Sequence, residues 1–525
     1  MRIAMLSWES LHSVAVGGVA PHASELAEAL ARKGHQVHVF TRRVFGQRAY
    51  DRIDGVHYHR CMYPAQRDFI DDVNSMCRSF VDRVFEVEDF LGRFDVVHAH
   101  DWLAANAMIW IKQGRGQSTV LTIHSTEYAR CGNAFHNGSS VRMREQERAG
   151  TYWADRVIAV SEATRREIMW MYEVPESKTV VIHNGVKAER FNLTSDSGED
   201  KRRYGIAPLD PTVLFCGRLV WQKGPDLLIE AIPRILPFYR DAKFVLVGDG
   251  EMRGQLEARA RQLGIAHAVR FLGHRRDDEL VRLFKLADVV CVPSRNEPFG
   301  IVVLEAWAAD KPVVVTQTGG PNEYVWHEVT GLKIYPNPDS VAWGINTTFS
   351  DFERARRMGR NGRAALEERF GWETIAERTL DVYRRICPAA ARTDTEKVVV
   401  AATAARPAFV PHPPVVRPHT SAASAQANSS PVRLRAQLSF RIADRRNGDF
   451  TRLEAFKANL RRQGFPPRER GDILRIDGDW EAVLMALLRC HHGAFVPHAP
   501  TVGKPDRKEA EAPVGSAEQE VCLSR

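Results

Sequence analysis

Two glutamates eight positions apart, Glu297 and Glu305, bracket the run Pro298-Phe299-Gly300-Ile301-Val302-Val303-Leu304. An apolar strand is predicted over residues 288–294, Glu297 falls in the loop after it, and a helix is predicted to begin near Gly300. The start of a helix carries unpaired backbone N–H groups and the positive end of the helix dipole, which together suit a phosphate. Phe299, Gly300, Ile301 and Val302 are therefore candidates to line an anion site. Glu305, more than a turn further along, could reach hydroxyls beyond the phosphates. A ligand with sugar hydroxyls at both ends and phosphates between them uses all three features, and a nucleotide-diphosphate sugar is such a ligand.

Two cations lie in a comparable place. Arg218 follows Gly217 directly after the predicted strand 212–216, and Lys223 precedes Gly224. At the end of one strand they form a natural clamp for a diphosphate. Each close charge pair would contribute on the order of 4 kcal/mol at an effective dielectric near 20, before desolvation; the plain alternative is a solvated basic loop. Gly17-Gly18-Val19 stands between the first predicted strand and the first helix, with Pro21 and His22 at the helix start. Gly18 would let backbone come close to a phosphate, although a simple tight turn has the same composition. Gly319-Gly320-Pro321-Asn322-Glu323 adds a further glycine loop after a later strand.

His98-Ala99-His100-Asp101 and Thr122-Ile123-His124 close two successive strands. Side chains alternate along a strand, so His98 and His100 share a face and Asp101 and His124 reach the edge where ligands bind. A His-x-His pair at a strand end also suits zinc. Such a site needs another ligand on a later strand end, where His183 is the one candidate, so no metal is expected. His98 reads more simply as a satisfied structural histidine.

The elements that must position these groups alternate in type. Apolar strands are expected over residues 2–8, 36–41, 95–100, 119–124, 156–161 and 179–183, with a helix over 21–33. The scheme restarts at 212–216, 243–248, 269–273, 288–294 and 312–317. Continuous apolar strands separated by helices imply parallel sheets covered on both faces. The fold class is therefore α/β, with two Rossmann-like, doubly wound domains facing each other across a cleft. The domains are an N-terminal one over 1–190, expected to hold the acceptor, and a C-terminal one over 191–370 for the nucleotide sugar. A helix over 371–387 is expected to pack back across both. Residues 388–431, rich in Ala, Pro, Val, Thr and Ser, have linker composition. A small α+β segment follows over 432–495, with a strand at 434–442 and helices at 451–463 and 480–490, then a polar tail over 496–525.

The chain has 525 residues, 44% of them apolar and 26% charged, which fits a globular protein of two or three domains. Eight scattered cysteines with no CxxC pair argue for a reducing compartment, the cytoplasm. No run of apolar residues is long enough to span a bilayer, leaving only peripheral membrane contact open. The formal charge of +8 favours anionic partners without choosing among them. Acidic residues interleave with the arginines and no aromatic stacking platform stands out, so nucleic acid is not an expected partner.

Taken together, these segments resemble the retaining glycosyltransferases of family 4, the GT-B group that includes glycogen and starch synthases. The resemblance rests on the Glu-x7-Glu signature at Glu297 and Glu305, preceded by Pro293-Ser294-Arg295. It also rests on the Gly-Gly loop, the His-Ala-His-Asp and Thr-Ile-His strand ends, His183-Asn184-Gly185-Val186, and Gly217-Arg218 with Lys223. It covers residues 1–386. It implies that Arg218 and Lys223 hold the diphosphate, Glu305 the ribose and Glu297 the hydroxyls of the donor sugar. It also implies that Gly18 approaches the phosphates, that His124 contacts the transferred sugar, and that Asp101 lies near the reacting centre or the acceptor. The implied enzyme is a metal-independent hexosyltransferase without a cofactor. It would move glucose from an ADP- or UDP-glucose type of donor to an α-glucan or related sugar acceptor. A lipid-linked or small-molecule acceptor, or a sugar-nucleotide epimerase of the same fold, is the alternative. Where bacterial glycogen synthases carry Lys-x-Gly-Gly-Leu-x-Asp, this chain has Ala15-Val16-Gly17-Gly18-Val19-Ala20-Pro21, lacking both the lysine and the aspartate.

Overall fold

The computed structural model describes residues 1–387 and, beyond them, residues 458 and 461 and three strands between 435 and 479. The first half of residues 1–387 forms an eight-stranded sheet. Its strands are β1 (Arg2–Leu6), β2 (Gln36–Arg42), β3 (Tyr50–Ile53), β4 (Val56–Cys61), β5 (Val96–His100), β6 (Ser118–Ile123), β7 (Arg156–Ala159) and β8 (Thr179–Val181). They lie in the order β3-β4-β2-β1-β5-β6-β7-β8. β1 pairs in parallel with β2 on one side and β5 on the other, Met5 lying opposite Val39 and His98. A second sheet holds β9 (Thr212–Cys216), β10 (Lys243–Val247), β11 (Val269–Gly273), β12 (Val289–Val292), β13 (Val313–Thr316) and β14 (Leu332–Ile334), in the order β11-β10-β9-β12-β13-β14.

Side-chain alternation explains why the strands read as unbroken apolar runs. In β1, Ala4 and Leu6 enter the core on one face while Ile3 and Met5 enter the core on the other. In β9, Leu214 faces one core and Val213 and Phe215 the opposite one. Both faces are covered by helices, so neither can be polar. Each sheet also reverses its winding once, between β1 and β5 in the first and between β9 and β12 in the second. In such sheets the loops at the carboxyl ends beside the reversal form the natural ligand crevice.

Two elements of the first lobe depart from the expected strand–helix alternation. The antiparallel hairpin of β3 and β4 turns at Asp54-Gly55, both with positive φ, 51° and 82°. A helix over Phe69–Leu91 follows, capped by Asp68, whose side chain accepts from the amides of Ile70 and Asp71. In the second lobe the short strand β14 is an addition at the sheet edge. Among the described residues no helix is long and apolar enough to cross a membrane.

The last described helix of this unit, Trp372–Ile386, follows the second sheet in sequence but packs on the first. Trp372, Ile375, Ala376, Leu380 and Tyr383 share a core with Ile3, Met5 and Leu26. Trp372 Nε1 donates to Glu25 Oε2 at 2.6 Å, and Tyr383 Oη lies 2.6 Å from His98 Nδ1. The chain thus crosses between lobes twice, after β8 and again at Phe370–Trp372, and the crossings touch: Val186 N donates to Phe370 O at 3.3 Å.

The remaining described strands form a separate unit of the chain. They are β15 (Arg435–Arg441), β16 (Arg468–Arg470) and β17 (Ile473–Asp479), an antiparallel sheet in the order β15-β17-β16. The expected linker over 388–431, the tail over 496–525 and the helix over 480–490 lie outside the described residues, as does most of the helix over 451–463.

Trp372 fills a site bounded by Gly185, where an added Cβ would stand 2.9 Å from its ring. Trp372→Ala should remove about 3–5 kcal/mol of stability, read as a lower denaturation midpoint in guanidinium.

Candidate active site

The loops at both reversal points carry the chemistry-bearing residues. In the second lobe, β9 leads to Gly217 and Arg218, and β12 leads through Pro293-Ser294 to Glu297. Glu297 is buried, 4% exposed. Lys223 Nζ donates to both its carboxylate oxygens at 2.7 and 2.9 Å, and Ser294 Oγ donates to Oε2 at 2.8 Å. Its carbonyl accepts from Gly320 N at 2.8 Å. Gly319, at φ +71°, lies so close that an added Cβ would stand 2.2 Å from that carbonyl oxygen. The second glycine loop is therefore a backbone buttress for Glu297.

The helix Ile301–Ala308 starts at Gly300, whose φ of 91° turns the chain into it. Ile301 and Val302 occupy its first turn, where α-helical amides have no partner within the helix. Phe299 behaves differently from its neighbours. Its ring is 3% exposed and packs among His183, Tyr324 and Phe370. Its carbonyl accepts from Tyr324 Oη at 2.7 Å, so any contribution to a ligand must come from its amide. Glu305 lies on the next turn, where burial pushes its carboxyl up to about 7, with Arg190 opposing the shift and Glu25 adding to it.

Arg218 is exposed to the cleft, and its guanidinium approaches Gln222 Oε1 at 3.4 Å. Loss of hydration and the like charge of Arg130 make its proton easier to lose than usual, while Glu297 and Glu9 oppose that. Of the two expected clamp cations, Lys223 is thus already bound to Glu297 and Arg218 is the one left open. An ammonium has three donors, so Lys223 keeps one for a ligand.

Across the cleft, Gly18 begins the helix Val19–Arg32, and a Cβ there would stand 3.0 Å from Ile301 Cδ1 of the opposite lobe. Asp101, 7% exposed, follows β5 at φ 57°. Its Oδ1 accepts from His124 N at 2.6 Å, and the amide of Ser125 also donates to it. Burial nonetheless lifts the Asp101 carboxyl to about 6, against the pull of Arg130 and the two amides. Burial holds the His124 imidazole down to about 3, so it is neutral at physiological pH. His98 is fully enclosed, bonded to Tyr383 Oη and, at 2.7 Å, to Thr122 Oγ1, the satisfied structural role expected of it. His183 instead has its Nε2 3.9 Å from Glu323 Oε2.

Three further groups were not singled out by sequence. Glu9, buried, accepts from Val16 N at 2.6 Å and Gly17 N at 2.7 Å, tying down the glycine loop. Arg130 donates to Glu147 Oε1 and the Ser125 carbonyl, both at 2.6 Å, bracing the segment after His124. His22, on the first helix, comes against His124 and His100 with ring centroids 4.5 and 5.2 Å away. Nothing in the local pattern marks Glu9 or Arg130. For His22 the only signal is its position one turn after Gly18.

The two rims meet. Asn296 Nδ2 donates to Asn133 Oδ1 at 2.5 Å, Arg276 to the Ala15 carbonyl at 3.2 Å, and the amides of Glu162 and Ala163 donate to Glu323.

Comparison with known proteins agrees with this architecture. Residues 16–190 match the family model described as Glycosyltransferase Family 4, and residues 196–365 match Glycosyl transferases group 1. The chain belongs to the family 4 glycosyltransferases, enzymes with the two-lobed GT-B fold. An uncharacterized glycosyltransferase of Methanocaldococcus jannaschii is 39% identical, over 73% of this chain and 98% of the relative. Glycogen synthase of Mycobacterium tuberculosis is 32% identical, over 73% and 94%. Among solved structures, sucrose-phosphate synthase from Thermosynechococcus elongatus superposes with a TM-score of 0.65 at 25% identity, covering 74% of this chain and 99% of that one.

The raised carboxyl of Asp101 has a measurable cost. Its ordinary value is 3.8 and its folded value about 6, so the penalty is absent below pH 4 and complete above pH 6. Asparagine keeps an acceptor for the two amides and carries no charge. Asp101→Asn should therefore raise thermal stability at pH 8 by at most roughly 3 kcal/mol, with the gain vanishing near pH 4 in melts across that range.

Proposed function

We propose that this chain transfers a hexose, with glucose the first candidate, from a nucleotide-diphosphate sugar to an α-glucan or related sugar acceptor. Transfer proceeds with retention and without a metal ion. The observation that carries this reading is the grouping at one sheet reversal of Arg218, the residual donor of Lys223, the first turn of Ile301–Ala308, and the two carboxyl groups of Glu297 and Glu305. The cations and helix dipole stabilise the charge that grows on the departing diphosphate, the electrostatic task a divalent cation performs elsewhere. Glu305 receives the ribose hydroxyls. Glu297, prealigned by Lys223 and Ser294, receives those of the sugar.

His124, being neutral, contacts the transferred sugar as a hydrogen-bonding group, and Asp101 fixes the turn that carries it. The departing phosphate takes the acceptor's proton on the face it leaves, so the new bond forms on that same face and no protein nucleophile is needed. The relatives named for glycogen and sucrose-phosphate synthesis support a sugar acceptor. A lipid-directed reading would call on the arginines near residue 142. Arg142 is instead engaged by Asp68 and Asp71, and Arg144 by Ser140 and the His136 carbonyl.

A panel of nucleotide sugars and acceptors, scored by released nucleotide in chelator, tests the proposal directly. At least one pair should turn over, and Lys223→Ala should cut its rate about a hundredfold, the effect of losing one transition-state donor; a loss below threefold contradicts the assignment.

Glu305 gives a second expectation. Ribose hydroxyls donating to its carboxylate favour the ionised form, so binding lowers a carboxyl that stands near 7 in the free protein. Nucleoside diphosphate affinity should then fall as pH drops through 7, and binding near that pH should release protons. Calorimetry in buffers of different ionisation enthalpy should show that release shrink in Glu305→Gln, the remainder being the nucleotide's own titration.

A further inference from the structure

Where the first helix meets the ends of β5 and β6, three imidazoles converge. His22 is 4% exposed and His100 1% exposed, while His124 is partly open on the cleft side. One nitrogen from each lies within 4.8 Å of one from each of the others. His100 Nδ1 and His124 Nε2 are 3.2 Å apart, close to the separation of about 3.4 Å that two nitrogens adopt on one tetrahedral zinc with bonds of about 2.0–2.1 Å.

The cluster is under-satisfied as it stands. Among the described residues His100 Nε2 has no hydrogen-bond partner, and the polar side chain that reaches the His22 ring is that of Asn184. Buried polar atoms seldom remain in that state, because each forfeits the hydrogen bond it had in water. Something polar belongs at their centre. A water would serve, and so would a cation, since each neutral imidazole offers one lone pair and one nitrogen of each ring lies within 4.8 Å of the others. Burial also keeps all three rings uncharged at neutral pH, His22 and His100 well below the ordinary histidine range and His124 near 3, and a metal requires its imidazoles in that form.

We propose that His22, His100 and His124 form a binding site for a single Zn²⁺ or similar borderline transition-metal ion, and that its occupancy inhibits the enzyme. Imidazole nitrogen suits zinc, cobalt and nickel and discriminates against magnesium and calcium, which prefer oxygen. The three protein ligands leave one coordination position on the open His124 side, the route of entry. A bound ion would tie up His124, the residue assigned to the transferred sugar. The inhibition rests on the proposed transferase reading; the binding does not.

The test uses the full-length protein stripped with chelator, titrated with Zn²⁺ by calorimetry and with Co²⁺ by visible absorption. One ion should bind per chain, with the intense bands of four-coordinate cobalt, and Mg²⁺ should not compete. His22→Leu and His100→Gln should each weaken binding roughly tenfold or more, with circular dichroism and nucleoside diphosphate affinity showing that each variant is folded. A wild-type protein that takes up no stoichiometric ion holds a water there instead, and the proposal falls. It falls equally if folded variants bind zinc as tightly as wild type. On turnover, Zn²⁺ should suppress nucleotide release from the active donor–acceptor pair, chelator should restore it, and Mg²⁺ should leave it unchanged. Metal uptake without inhibition would overturn the regulatory half alone.

Discussion

Glu297 is gripped twice within a single residue. Its carboxylate is bound by Lys223 and Ser294, and its carbonyl by the amide of Gly320, with Gly319 pressed against the same oxygen. Both loops of the second sheet's reversal are thereby locked to each other, and the helix start at Gly300 inherits its direction from them. The lysine sets the electrostatic balance as well. Were it not paired, a buried carboxylate would stand beside the position of a diphosphate and repel it; paired, it leaves Arg218 and the helix dipole to set the sign of the cleft wall.

The opposite wall has another character. It carries neutral imidazoles and two buried acids, Glu9 and Asp101, both pushed toward protonation by burial. Each acid spends its oxygens on backbone amides, Glu9 on the glycine loop and Asp101 on the turn into His124. These acids shape loops. The cations open to the cleft, Arg218 and the remaining donor of Lys223, thus lie in one lobe, while Arg130 of the other is spent on Glu147 and the Ser125 carbonyl.

Much of this was legible in the sequence because it lies at strand ends. The apolar runs located the strands, and the chemistry followed within a few residues of each: Arg218 after β9, Glu297 after β12, Asp101 after β5, His124 after β6. What depended on distant packing was hidden. Lys223 and Glu297 are 74 positions apart, and each alone looked like a ligand for substrate. Phe299 sits inside a site motif, yet its side chain serves the core. His22 meets His100 and His124 only because the first helix lies over the ends of β5 and β6, a register no local pattern records. The β3–β4 hairpin was readable, since Asp54-Gly55 is a strong turn signal, but its strands are half polar and do not resemble the buried strands around them.

The two chain crossings between the lobes lie side by side, joined by the hydrogen bond from Val186 N to Phe370 O, with Trp372 wedged against Gly185. A single thread would let one lobe swivel freely about the other. A pair of threads fastened together behaves like the leaf of a door: it allows swinging about one line and resists twisting about any other. Any motion of one lobe against the other would then follow one arc, along which Gly18 approaches or leaves Ile301.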